Sequence, residues 1–92
     1  MPPCAKWEKL AALAERGGNS HKALEFKEKL VECIVYTAQE MIRRGKIKDA
    51  AQVIKYGKEA ASRLAIEELN FHISLMEKEM AKILERRKVQ TR

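Results

Sequence analysis

The sequence is short of most residues that make recognisable chemistry. Its two cysteines, Cys4 and Cys33, lie far apart and outside any CxxC spacing. That excludes paired-thiolate zinc motifs and a disulfide-dense scaffold. Both are expected as reduced thiols, Cys33 as a small core residue beside Ile34 and Val35. Two prolines and four glycines are too few for a disordered linker. The longest apolar run, Leu10 to Ala14, falls far below the roughly 18 residues that span a bilayer. The opening Met-Pro-Pro-Cys-Ala-Lys-Trp has no apolar signal-peptide core, so cytoplasmic residence is expected. Aromatic residues make up 5%, which leaves no interleaving of basic and aromatic side chains of the kind single-strand binders use. There is no Gly-rich phosphate loop, no HExxH and no GxSxG. His21 and His72 fall on separate segments, and the Glu68–His72 spacing is that of a helix-surface pair, not the Glu-x-x-His of di-iron bundles. No catalytic residue, metal or cofactor is expected.

What the sequence does have is helix chemistry. Ala, Leu, Glu, Lys, Arg and Met dominate, and these cost least in a helix. Gly17-Gly18 and Gly45 follow basic residues, the pattern of a helix ending in a left-handed glycine. Asn19 or Ser20 can cap the next helix. Three helical segments result, at about 3–16, 20–44 and 47–88, within one domain of residues 1–92. Apolar stripes run through each: Trp7, Leu10, Ala11 and Ala14; then Ala23, Leu24, Leu30, Val31, Ile34, Val35, Ala38, Met41 and Ile42; then Ile47, Ala50, Ile54, Gly57, Ala61 and Leu64. Lys27 interrupts the second stripe and is expected to carry its ammonium out to water. Short turns make neighbouring helices antiparallel. The expected fold is therefore an all-α antiparallel bundle of three helices with a long last helix, or four helices if that helix folds back.

The long third segment poses a problem of coverage. Ile66, Leu69, Ile73, Met76, Met80 and Ile83 alternate steps of three and four, a heptad seam. A straight helix over 47–88 would be roughly 60 Å long, more than the second helix can cover. Either the chain bends within 62–70 and returns, bringing two basic clusters to one end, or two chains pair through the seam. The absence of glycine and proline after Gly57 favours continuity and a homodimer. A further stripe, Val53, Tyr56, Ala60 and Leu64, is either covered by the first helix or forms a groove wall for a partner helix.

The net charge of +6 is concentrated. Arg43, Arg44, Lys46 and Lys48 form one cluster, and Arg86, Arg87, Lys88 and Arg92 another. Without these eight residues the net charge would be −2. Cations gather at helix C-termini to meet unpaired carbonyls, and the same clusters suit an acidic partner or a nucleic acid.

The chain also repeats at an offset of 27 residues: Trp7, Leu10, Ala11, Ala14, Gly18 and Ala23 correspond to Ile34, Thr37, Ala38, Met41, Gly45 and Ala50. The second copy continues with Ile54 and Gly57. This order of bulky residue, small residue, turn glycine and packed alanine resembles the tetratricopeptide repeat (TPR). With the second helix shared between units, it is closer to the three-helix MIT (microtubule interacting and transport) domain. The resemblance covers residues 7–57. It departs from a TPR in its period, in Lys27 and in lacking a proline between copies. It implies a non-catalytic module that binds a partner helix or peptide in an inter-helix groove. Two alternatives stand beside it: nucleic-acid binding through the basic turn and tail, and a structural homo-oligomer subunit.

Overall fold

The computed structural model describes residues 4–90, with side chains described to residue 88. The expected start at Pro3 and the tail residue Arg92 lie outside the described residues. Among the described residues four helices stand in order: α1 (Ala5–Arg16), α2 (Ser20–Arg43), α3 (Ile47–Leu64) and α4 (Glu67–Gln90). Among the described residues there is no strand. The all-α bundle holds, in its four-helix form.

Local chemistry sets the first two turns. Gly18 and Gly45 sit at φ +75° and +79°, where an L side chain is strained. After α1, the Asn19 N–H donates to the Ala14 carbonyl at 2.9 Å and the Gly18 N–H to Glu15 at 3.1 Å. After α2, the Lys46 N–H donates to Met41 at 2.8 Å and the Gly45 N–H to Ile42 at 3.0 Å. Both are Schellman turns, the left-handed residue satisfying the last carbonyls. Asn19 then caps α2 by accepting from the Lys22 N–H at 3.1 Å.

The third turn corrects the continuous last helix. Ala65 adopts φ 54° and ψ 52° at the end of α3, and the Ile66 N–H reaches the Ala61 carbonyl at 2.9 Å. The chain reverses within two residues and without glycine or proline. A left-handed alanine costs about 1–2 kcal/mol. Burying large apolar side chains beyond it contributes about 1.5–3 kcal/mol each when complete, so the reversal wins. Ile66, Leu69, Ile73, Met76 and Met80 are all buried, and Ile83 is partly so, packed on the same core. The seam is thus filled within one chain, which removes the coverage problem and with it the reason for a homodimer through it.

Because Ala65 is the strained point, Ala65→Gly should stabilise the fold. Relief of the left-handed cost exceeds the extra unfolded-state freedom of glycine, about 0.4–1 kcal/mol. The net gain is about 0.5–1 kcal/mol, seen as a melting temperature higher by about 2–8 °C. A lower melting temperature would contradict this account of the turn.

α2 packs against α1, α3 and α4, and α3 against α4. α3 lies close to its neighbours at Gly57, where an added Cβ would lie 3.1 Å from both Ile34 Cγ2 and Ile73 Cδ1. Ile34 and Ile73 are themselves buried, so a side chain at this position would require both to give by a few tenths of an ångström. The molecule is elongated, 57 × 22 × 15 Å. Leu10 and Leu24, placed on core stripes by their spacing, are exposed instead. Lys27 is partly exposed, and its ammonium pairs with Glu15 of α1 at 2.7 Å.

The cysteines correct another expectation. Cys4 and Cys33 form a disulfide, with Cα atoms 5.7 Å apart and a sequence separation of 29 residues. Antiparallel packing of α1 on α2 brings together two residues whose spacing carried no sign of pairing.

Candidate nucleic-acid interface

The two basic clusters meet at one end of the bundle. Arg43 closes α2, Arg44 and Lys46 flank the Gly45 turn, and Lys48 stands in the first turn of α3. The reversal at Ala65 sends α4 back along the bundle, so its last turns return to this end. There Arg87 Nη2 donates to the Gly45 carbonyl oxygen at 3.0 Å, across 42 residues of sequence. Arg86 Nε reaches the Lys82 carbonyl at 3.5 Å, a contact within α4. Arg43, Arg44, Lys46, Lys48, Arg86, Arg87 and Lys88 are all exposed. Arg43 is paired with Glu40, so part of its charge is already met.

Sequence reasoning missed Tyr36. Its side chain is 69% exposed and lines a cleft of about 560 Å³ between α2 and α4 together with Arg43, Glu40 and Glu79. The available signal was the i, i+7 spacing of Tyr36 and Arg43, which places both on one face of α2. An exposed aromatic therefore does stand beside this basic surface, although the sequence shows no interleaving.

Of the two readings of the Val53, Tyr56, Ala60 and Leu64 stripe, the packing favours cover by the first helix. Ala60 and Leu64 are buried, Val53 and Tyr56 half-buried, and α1 packs on this side of α3. The Tyr56 hydroxyl donates to Glu8 Oε1 at 2.8 Å, and the Arg63 guanidinium donates to both carboxylate oxygens of Glu8. The stripe serves as the seat of the first helix. The Arg63 hydrogen bonds, aided by Tyr56, hold the Glu8 carboxyl below the usual glutamate range against the opposing effect of burial. Burial first, then Glu8, pushes the Tyr56 hydroxyl up.

A carboxylate with a depressed folded-state pKa contributes stability above its unfolded value, near 4.3, and loses it as pH falls through the folded value. Glu8→Gln should therefore lower the urea midpoint at pH 7, with the gap to the parent chain closing as the pH falls towards about 3. An equal gap at both pH values would show that the charge on Glu8 is irrelevant.

Among the described residues, no group of His, Cys, Asp and Glu could hold a metal ion, and no helix is long and apolar enough to cross a membrane. The 27-residue repeat has a plain physical origin. The paired turn hydrogen bonds at Ala14 and Met41, and at Glu15 and Ile42, keep that offset, as do the buried Ala23 and Ala50 beyond each turn. Two Schellman turns sharing one helix are enough to produce the pattern. No curated protein matches the chain. A family model described as archaeal ribosomal protein aL49 matches residues 3–87. That match overturns the TPR-like and MIT-like resemblance, and with it the reading as a peptide-binding adaptor. The chain belongs to the archaeal ribosomal protein aL49 family.

Proposed function

We propose that the chain is a non-catalytic structural component of the cytoplasmic ribosome that binds ribosomal RNA through its basic end. Arg43, Arg44, Lys46 and Lys48 form one half of the contact, and Arg86, Arg87 and Lys88 the other. The observation that carries this reading is the Arg87–Gly45 hydrogen bond, which joins two distant clusters into one surface. The family is one of ribosomal proteins, which supports RNA as the partner.

Helix dipoles supply a second argument. Arg43 and Arg87 lie in the last turns of α2 and α4, where a cation is electrostatically welcome for structural reasons alone. Lys46 and Lys48 stand instead at the start of α3, the positive end of that helix, and no side chain caps it. A cation there works against stability by about 0.3–1 kcal/mol. Binding a polyanion gives these two lysines a purpose that folding does not.

The test is a fluorescence-anisotropy titration of the full chain against ribosomal RNA. With up to seven phosphate contacts, at about 0.7–0.9 counterions released per contact, raising salt from about 50 to 200 mM should weaken binding about a thousandfold. No binding at the lower salt would sink the proposal.

A further inference from the structure

The basic end is not polar throughout. Between the start of α3 and the C-terminal half of α4 lies a cleft of about 580 Å³. Ile47, Ala51, Met80 and Leu84 make an aliphatic floor, and Lys46, Lys48 and Arg87 make a cationic rim. Leu84 is 46% exposed on this floor, a large apolar side chain left open beside three cations and the Asp49 carboxylate. The neighbouring cleft at Tyr36 differs, because Glu40 and Glu79 both line it.

A ligand for such a cleft needs a flat, weakly polar body with anionic attachments on either side. The surface of an RNA duplex offers phosphates without an accessible base face, because its bases are stacked and paired. An unpaired nucleotide offers both. The geometry points to this cleft as a subsite for one unpaired RNA nucleotide, its base seated on Leu84, Met80 and Ile47 and its flanking phosphates met by Lys46, Lys48 and Arg87. The inference rests on the RNA-binding reading above and deepens it.

The details agree with that occupant. The volume lies within the range of about 300–1,000 Å³ common for small-ligand sites. The Arg87 guanidinium is tied to the Gly45 carbonyl, which keeps its positive charge at the rim of the cleft. Asp49 reaches the rim, where its carboxylate repels phosphate and can accept from a base N–H. That sets the base inward and the backbone towards the lysines. Each of the four bases carries an N–H that can donate to Asp49, and the floor has no polar side chain to tell them apart, so all four should be accepted.

The test compares one RNA duplex with the same duplex carrying a single bulged 2-aminopurine, each titrated with the full chain at about 50 mM salt. The bulged RNA should bind about tenfold more tightly, the scale of one base stacked on a protein side chain. The 2-aminopurine fluorescence should change as the base leaves its neighbours. Leu84→Ser should abolish that advantage while leaving duplex affinity and far-UV circular dichroism unchanged. Leu84→Phe should keep it, because a larger flat surface is supplied. Equal affinity for both RNAs, with the salt dependence intact, would overturn the subsite and leave the cleft to another occupant, such as an apolar side chain of a neighbouring protein. So would a tenfold advantage surviving in Leu84→Ser. Binding to neither RNA would remove the RNA interface as well.

Discussion

Replacing Arg43, Arg44, Lys46 and Lys48 together by glutamine is expected to flatten the salt dependence of RNA binding and to weaken it most at low salt. If all seven described cations of the basic end meet phosphates, the slope of log affinity against log salt lies near about −5 to −6. Removing four leaves a slope near about −2 to −3. A rise from about 50 to 200 mM salt then weakens binding only a few tens of times, in place of about a thousandfold. Arg43 contributes least to the change, since Glu40 already holds it. A control with equal loss of charge is available in Lys9, Arg16, Lys29 and Lys55, all exposed and outside the two basic clusters. Their replacement by glutamine should leave the slope near that of the parent chain. Equal slopes for the two variants would mean that net charge alone draws the RNA and that the convergence at Gly45 has no role.

Reduction of the Cys4–Cys33 disulfide should lower stability by about 3–4 kcal/mol, the loop-closure entropy for a crosslink with a sequence separation of 29 residues. That is a large share of the roughly 5–15 kcal/mol that holds a small domain together. The effect should fall on α1, because the bond ties the start of that helix to the middle of α2. Without it, α1 is held by the Trp7–Phe26 ring contact, the Glu8 cluster and the Lys27–Glu15 pair. The measurement is a urea unfolding curve with and without reductant, with Cys33→Ser as the chemical equivalent. Thiol titration of the unreduced, unfolded chain should find no free thiol. Two titratable thiols, together with curves that reductant does not shift, would overturn the crosslink.

The four-helix bundle was partly legible in the residues. Gly18 and Gly45 mark their turns because a φ of +75° or +79° excludes most side chains, and Asn19 marks a cap by its residue type. The stripe Ile47, Ala50, Ile54, Gly57, Ala61 and Leu64 is buried as its spacing implies. Leu10 and Leu24 were misplaced because periodicity identifies a face without saying whether a neighbour covers all of it. The repeat at 27 residues was visible and misassigned, since Schellman turns leading into tightly packed alanines recur in unrelated helical hairpins. Of the candidate site, each basic cluster was plain, but Tyr36 and Leu84 were not. Their importance comes from being exposed beside charge, and exposure is a property of the packed chain.

What the sequence by itself determined is local: where helices begin and end at the two glycine turns, which faces are apolar, and where positive charge accumulates. Capping, left-handed glycine and side-chain periodicity act over a few residues, so residue identity reveals them directly. The tertiary structure alone decided the reversal at Ala65, the disulfide, the seating of α1 on Tyr56 and the joining of Arg87 to Gly45. At Ala65 the local cost of about 1–2 kcal/mol opposes the turn, and only the burial of Ile66, Leu69, Ile73, Met76 and Met80 outweighs it. That gain exists once α2 and α3 are in place to receive those side chains. The basic end depends on the same reversal, because without it α4 would carry its cations away from the Gly45 turn.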